Sequence, residues 1–451
     1  MSDAHSQLFC SKKKLFLLIF APIALLLLQC TDPMEEELFS SVEESKAPQM
    51  VDYHKTGVLP GGGLYEISVP SQNWNGELVV WAHGYVNFNE PLALPDDAVD
   101  GVPISVIVNQ LGYAYATTSY RENGLIVQKA ILDLDKLVKQ FKKDFGDPER
   151  TYLVGGSEGG IITALAMEQN NKGVFDGGFS LCGPVGDFRE QVNYFGDFNV
   201  VFNYFFPGIL PITPKGLKPD QLNELIAQWG TDDNPGPLQA QVIAALEANP
   251  NATRQLLSVT KASFVEEDPS TIGATVLGLL RYSVYATNDA IKKLHGMPYD
   301  NTGKEYEGSD DDDLLNNMIQ RFKADKRALI EIDRNYETSG KLNDPLVTMH
   351  TTGDPIQPYW HEIIYREKTI NNGSLLDHTN IPILNRYGHC NFTQNEVLLG
   401  FAVLILKVTH EDLQVPSSVF PDSQSQLEFM NRSQEHGAAP IIIPDPVLQS
   451  S

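Results

Sequence analysis

The chain has 451 residues, of which 42% are hydrophobic, and a formal net charge of −25. This length and composition support one large packed domain with an insertion, or two domains. An acidic surface repels phosphate backbones, so the charge argues against a nucleic-acid partner.

The N-terminus has the pattern of an export signal. The three lysines at 12–14 precede an apolar run over 15–28, which is shorter than the about 20 residues of a membrane span. Cys30 follows in a sequence that resembles a bacterial lipobox, with Gln29 in place of the usual small residue. Cys30 is therefore a lipidation candidate, and simple cleavage or an uncleaved anchor is the alternative. We expect residues 1–30 to direct export and to provide any membrane contact.

Predicted strands and helices alternate after an acidic, polar tether over residues 31–50. Such alternation implies a parallel sheet with helices on both faces. The predicted strands cover 64–69, 77–81, 113–117, 151–154 and 177–181, and the predicted helices cover 104–111, 125–145 and 161–169.

The alternation breaks over residues 185–340, where the patterns predict helices at 219–229, 238–248, 272–294 and 314–335 and no convincing strand. This segment opens with aromatic residues: Phe188, Tyr194, Phe195, Phe198, Phe202, Tyr204, Phe205 and Phe206. They indicate either an apolar substrate pocket or a core that belongs to the segment itself.

The alternation then resumes. We predict strands over 345–350 and 381–384 and helices over 359–370 and 396–408. Residues 411–451 are rich in proline and serine without a period, which is typical of an extended surface tail.

One glycine-rich motif lies between a predicted strand and a predicted helix. Residues 152–160 read Tyr-Leu-Val-Gly-Gly-Ser-Glu-Gly-Gly and contain Gly155-x-Ser157-x-Gly159. A strand that runs into a helix must turn sharply to lift a serine out of the sheet, and glycines tolerate that turn and the close packing around it. The motif predicts that Ser157 is a nucleophile, and a glycine-rich turn with an incidental serine is the alternative.

With this motif the chain resembles the α/β-hydrolase superfamily, over residues 63–183 and 341–409. The resemblance implies a mostly parallel sheet flanked by helices, with a core over 51–184 and 341–410. It also implies that 185–340 is a helical cap inserted after the sixth strand. In this family the catalytic residues follow the order serine, acid, histidine.

The sequence supplies an acid and a base in that order. Asp354 lies in Gly-Asp-Pro after the first strand that follows the cap, and His389 follows the next strand. In such a triad the histidine takes the serine proton, while the acid holds the histidine in the correct tautomer. The alternative acid is Asp187, which follows the strand before the cap.

Three other histidines compete with His389. His361 and His410 lie on predicted helices, so we expect both at the surface. His378 precedes its strand and should lie at the wrong end of the sheet.

A second motif, Val-Val-Trp-Ala-His-Gly-Tyr over residues 79–85, resembles the family's His-Gly oxyanion loop. The resemblance implies that the backbone N–H groups of Tyr85 and Glu158 point at the developing oxyanion. Removing one such donor costs about 2.7–4 kcal/mol. His83 and Gly84 would shape this loop rather than act as bases, and an ordinary turn at a strand end is the alternative.

Cys182 and Cys390 remain in the mature chain if the signal is removed, and a pair of cysteines in an exported protein favours a disulfide. Cys390 next to His389 resembles tannase and feruloyl-esterase relatives, in which a disulfide ties the histidine loop to the serine neighbourhood. Those relatives have a cysteine before the serine, whereas this chain has Gly156. Two buried free thiols are the alternative.

These patterns predict an exported carboxylic-ester hydrolase that forms an acyl-enzyme on Ser157. Its substrate would be a small-molecule or polymeric ester, and no metal or organic cofactor is expected. The alternative is an exopeptidase, because Gly-Gly-Ser-x-Gly-Gly is similar to secreted exopeptidases of the same fold. That activity requires carboxylates for the substrate amine. The complete triad argues against a third hypothesis, a non-catalytic surface binding protein.

Overall fold

The computed structural model describes residues 53–170, 173–211, 215–231 and 234–409. The predicted signal with Cys30, the tether, the C-terminal tail and His410 lie outside these residues. Within the described part of the chain, no helix combines the length and apolar character that crossing a bilayer requires.

An eight-stranded sheet organises the core, in the order β1-β2-β6-β3-β7-β8-β9-β10. β2 pairs antiparallel with β1 and β6, and the other neighbours are parallel. The strands are β1 (Tyr53–Val58), β2 (Leu64–Val69), β3 (Leu78–Ala82), β6 (Ala114–Thr118), β7 (Thr151–Gly156), β8 (Gly177–Leu181), β9 (Leu346–Gly353) and β10 (His378–Tyr387), and a separate hairpin is formed by β4 (Ala98–Val99) and β5 (Val102–Pro103).

Helices cover both faces of this sheet, so its central strands are buried along their whole length. One face packs against α2 (Val127–Phe145), α3 (Glu158–Glu168) and α11 (Trp360–Asn371). The other face packs against α1 (Ile104–Gln110) and α12 (Gln394–Thr409). The predicted α/β-hydrolase fold, with its mostly parallel sheet, is confirmed.

The segment between β8 and β9 is helical and follows the sixth strand of the large sheet. Its helices are α4 (Phe188–Phe205), α5 (Pro219–Trp229), α6 (Pro237–Ala248), α7 (Pro250–Thr260), α8 (Ser270–Lys293), α9 (Asp312–Met318) and α10 (Lys326–Asn335). Its described residues contain isolated bridges but no strand. Most of these helices share a hydrophobic core of their own.

The sequence patterns did not predict β1, α4 or α7. β1 is an edge strand with polar, largely exposed residues, so it lacks the alternation that marks a half-buried strand. α4 is rich in aromatic residues and asparagine, which have only moderate helix propensity. It begins at an Asp187 cap and gains its stability from burial.

The predicted helix over 314–335 is two helices, α9 and α10. The backbone between them pairs with Asn301: the N–H of Phe322 donates to the Asn301 side chain at 2.7 Å, and the N–H of Asn301 donates to the Phe322 carbonyl at 3.0 Å. These long-range bonds replace the helical ones, and they are not visible in a local periodicity.

Candidate active site

Ser157 occupies the turn between β7 and α3, with φ +57° and ψ −121°. A non-glycine residue rarely adopts this conformation, and it persists only where the surrounding structure enforces it. A methyl group on Gly155 would lie 2.2 Å from the Gly159 carbonyl oxygen, and one on Gly159 would lie 1.9 Å from that of Ala82. The glycines therefore allow the backbone contacts that hold Ser157 above the sheet.

Ser157, His389 and Asp354 form one chain of hydrogen bonds. Nε2 of His389 lies 2.8 Å from the Ser157 hydroxyl oxygen, and Nδ1 lies 2.7 Å from Oδ2 of Asp354. The other oxygen of Asp354 accepts the N–H groups of Ile356 and Gln357 at 2.8 and 3.0 Å. In this geometry His389 can take the Ser157 proton while Asp354 fixes the tautomer of His389.

A second histidine, which the sequence analysis missed, also contacts the acid. His350 is fully buried on β9, with Nε2 3.3 Å from Asp354 and Nδ1 3.3 Å from Glu362. Burial lowers the pKa of His350, but the two carboxylates outweigh this effect and raise the pKa to about 10. Burial also raises the pKa of Asp354, yet His389 and His350 bring that pKa well below its usual range. Asp354 is therefore an anion between two histidines.

The alternative acid, Asp187, has another position and another partner. Its side chain caps α4 by accepting the N–H of Glu190 at 2.8 Å. It is an N-terminal helix cap, a position where aspartate is common.

The competing histidines have structural partners. His361 is buried, so its predicted surface position is wrong: its face of α11 packs against the start of the cap, where Nδ1 accepts the N–H of Gly186 at 3.1 Å. Burial lowers the pKa of His361 well below its usual value, which keeps it neutral. His378 begins β10, at 3.0 Å from the Thr348 hydroxyl.

Tyr85 and Glu158, the predicted oxyanion donors, border Ser157 in one cavity. Glu158 is the first residue of α3, so its N–H is among the donors that a helix leaves without an internal partner. A methyl group on Gly84 would lie 3.2 Å from the Ser157 Cβ, which places the loop directly beside the serine. This arrangement fits an oxyanion site, although donation by these two N–H groups stays a prediction.

His83 is buried within the same loop. Its Nδ1 donates to the Gly84 carbonyl at 2.7 Å, and its ring stacks on Tyr120 at 4.1 Å between centroids. Burial lowers the pKa of His83, so the neutral ring is favoured. These contacts suit a residue that shapes the loop.

The cavity beside Ser157 has a volume of about 980 Å³, its open mouth included, and reaches into the cap. Phe188 and Phe195 line it, together with Tyr282 from α8. Phe198 and Phe202 instead pack into the core of the cap. Both alternatives for the aromatic stretch therefore apply, each to different residues of α4.

Cys182 and Cys390 form a disulfide in the structure, with their Cα atoms 5.3 Å apart. The sulfur of Cys390 lies 3.6 Å from Nε2 of His389. Since Cys182 directly follows β8, the bond fastens the histidine loop to the strand beside the nucleophile strand. This position is consistent with a role in holding His389 in place.

Comparisons with known proteins find only distant likeness. No protein-family profile and no curated protein match the chain. Among solved structures, the chain is similar to Aspergillus oryzae feruloyl esterase B (14% identity, TM-score 0.40, 84% of this chain and 79% of the other). It is also similar to the Pyrococcus furiosus esterase Pf2001 (12% identity, TM-score 0.37, 85% of this chain and 91% of the other). A third similar structure is Pyrococcus horikoshii acylaminoacyl peptidase (11% identity, TM-score 0.37, 81% of this chain and 43% of the other). The chain spans less than half the length of the acylaminoacyl peptidases.

The sheet order and the turn at Ser157 make this an α/β-hydrolase fold. The site at the end of β7 carries the serine, histidine and acid arrangement of a serine hydrolase.

We predict that Ser157→Ala lowers kcat/KM for a p-nitrophenyl ester by about 10⁴-fold or more, because the other two residues then have no nucleophile to activate. A fluorophosphonate probe should label the wild type at Ser157. Ser283→Ala is the matched control, since Ser283 lines the same cavity without a place in the triad. Undiminished turnover in Ser157→Ala would refute the assignment.

We predict that Asp354→Asn lowers kcat by about 10⁴-fold, because an amide favours the wrong tautomer of His389. Asp187→Asn should retain kcat and nearly all of the thermal stability, since asparagine is also a good helix cap. Steady-state kinetics and melting curves of both variants test this. A larger kinetic loss from Asp187→Asn would reverse the choice of acid.

We predict that mass spectrometry of the exported, non-reduced protein finds Cys182 linked to Cys390. The bond closes a loop over a sequence separation of 208 residues, and loop-closure entropy puts its stabilisation at about 4–5 kcal/mol at best. Replacing both residues with serine should lower the melting temperature and kcat. If both thiols alkylate after denaturation without reductant, the disulfide is absent.

Proposed function

We propose that this protein is an exported carboxylic-ester hydrolase acting through an acyl-enzyme on Ser157. The observation that carries the proposal is the unbroken hydrogen-bond chain from Ser157 through His389 to Asp354, which opens into the cavity under the cap. Export rests on the pattern over residues 1–30.

The geometry supports the following sequence of steps. His389 takes the Ser157 proton as the serine oxygen attacks the ester carbonyl, and the N–H groups of Tyr85 and Glu158 stabilise the oxyanion. Collapse of this intermediate releases the alcohol, which receives its proton from His389. Water then attacks the acyl-enzyme with His389 as base, and the acid leaves. Every catalytic group in this sequence belongs to the chain itself.

The cavity favours an ester over the amino end of a peptide. An exopeptidase needs carboxylates for the substrate amine, and Glu158 is the only acidic residue among the described residues that line the cavity. Its carboxylate accepts the N–H of Ile126 at 3.0 Å, and burial raises the pKa of Glu158 to about 7. Its neutral form is therefore far more populated near neutral pH than that of an ordinary glutamate. Asp289, close by, is paired with Lys293 at 3.1 Å.

A substrate panel tests this proposal: p-nitrophenyl esters of increasing acyl length, a feruloyl ester, a polyester and aminoacyl anilides. We expect kcat/KM for the best ester to exceed that for every anilide by at least about 100-fold, because a single, partly neutral carboxyl holds an amine weakly. Faster cleavage of the aminoacyl anilides would favour the exopeptidase.

We also predict that Phe195→Ala changes the preference among acyl lengths, because the Phe195 ring forms part of the cavity wall. Phe205→Ala is the matched control, since Phe205 lies on the same helix and, like Phe195, packs against the core of the cap, but does not line the cavity. The measurement is kcat/KM across the ester series. Equal shifts in both variants would show that Phe195 acts only through the fold.

A further inference from the structure

Three buried polar side-chain atoms without a hydrogen-bond partner border the cavity beside Ser157. They are the hydroxyl of Tyr85, Nδ2 of Asn199 and Oε1 of Gln357. Only five such atoms occur among the described residues, and three of the five border this one cavity. Asn199 and Gln357 are 4% and 5% exposed, so both side chains lie almost entirely within the protein.

Unpaired buried polar groups are costly, at about 1–3 kcal/mol each, and native proteins retain few of them. The three residues come from three separate parts of the fold: the loop after β3, helix α4 and the loop after β9. One irregular segment therefore does not account for all of them. Their convergence on a cavity next to the nucleophile indicates that the substrate supplies the missing partners.

Contacts elsewhere fix two of these residues in position. The backbone N–H of Gln357 donates to Asp354 at 3.0 Å and its carbonyl accepts from His350 at 2.7 Å, which holds the Gln357 backbone beside the triad. The Tyr85 ring lies 5.9 Å from Tyr282, which stacks on Phe195 at 4.3 Å. The unpaired atoms thus lie in a largely apolar wall whose residues are held by contacts outside the cavity.

The chemistry of the three atoms defines the group that would satisfy them. The amide nitrogen of Asn199 donates, the amide oxygen of Gln357 accepts, and the Tyr85 hydroxyl does both. A hydroxyl group on the substrate also donates and accepts. No lysine, arginine or histidine is among the described residues that line the cavity, which favours an uncharged group over an anion.

We propose that this cavity binds an uncharged, hydroxyl-bearing part of the ester through Tyr85, Asn199 and Gln357, so that the enzyme selects hydroxylated esters over their unsubstituted analogues. This inference rests on the proposed esterase function. Leaving polar groups of the site unpaired with the unsubstituted substrate should reduce kcat/KM about 10- to 100-fold.

Matched ester pairs measure the preference. On the acyl side they are p-nitrophenyl 3-phenylpropanoate against the 3-(4-hydroxyphenyl) compound, and p-nitrophenyl hexanoate against 6-hydroxyhexanoate. On the alcohol side they are benzyl acetate against 4-hydroxybenzyl acetate. A preference of about 10-fold or more for a hydroxylated member on either side supports the proposal, and ratios near one for every pair overturn it.

Variants then assign the preference to the cavity. Asn199→Leu, which keeps the size of the side chain but removes its amide, should lower the hydroxyl preference about 10-fold. The control is Asn203→Leu on the same helix, because the Asn203 amide already donates to the Asn199 carbonyl at 3.0 Å and does not line the cavity. Gln357→Met provides a second variant if Asn199→Leu fails to fold. An unchanged preference in folded variants overturns the assignment.

The hydroxyl site and the esterase function can be disproved independently of each other. Hydrolysis of the unsubstituted esters tests the function alone, and the ratio within a pair tests the cavity. If no ester is hydrolysed, the proposed function falls, and thermal stabilisation by 4-ethylphenol against ethylbenzene still tests the cavity. Equal stabilisation by both compounds would overturn the hydroxyl site.

Discussion

At the start of α3, the backbone of the helix is in direct contact with the backbone at the ends of β3 and β8. A methyl group on Gly159 would clash with the carbonyl of Ala82, and one on Gly160 would lie 2.7 Å from the Cα of Gly183. The helix therefore lies directly on the ends of β3 and β8, and the chain reaches it from β7 only through the strained conformation of Ser157. The position of the serine, the orphan N–H of Glu158 and the proximity of the Gly84 loop all follow from this contact.

Features that depend on short stretches of chain could be predicted from the sequence. The turn at Ser157 is marked by glycines within a few residues, and Asp354 and His389 each follow a strand in the expected order. The roles of His350 and Glu362 could not be predicted from the sequence, because they depend on the packing of α11 against β9. The burial of His361 could not be predicted for the same reason, because a histidine on a helix gives no local sign of which helix face is buried.

The aromatic stretch of α4 shows how one helix serves two purposes. Residues at helical spacing share a face. Phe188, Val192, Phe195 and Asn199 follow that spacing and line the cavity, whereas Phe198 and Phe202 face the core of the cap. Composition alone could not separate the two sets, but the helical period does once the helix is known. The same helix thus joins the stability of the cap to the shape of the cavity.

The pair of histidines around Asp354 determines how net charge changes inside the protein during catalysis. The carboxylates of Asp354 and Glu362 raise the pKa of the buried His350, so its imidazolium offsets negative charge on one side of Asp354. When His389 receives the Ser157 proton, a second positive charge forms on the other side of Asp354, at a hydrogen-bond distance of 2.7 Å. The anion of Asp354 stabilises this charge. The negative charge then lies on the substrate oxygen, beside the first turn of α3, whose helix dipole favours an anion.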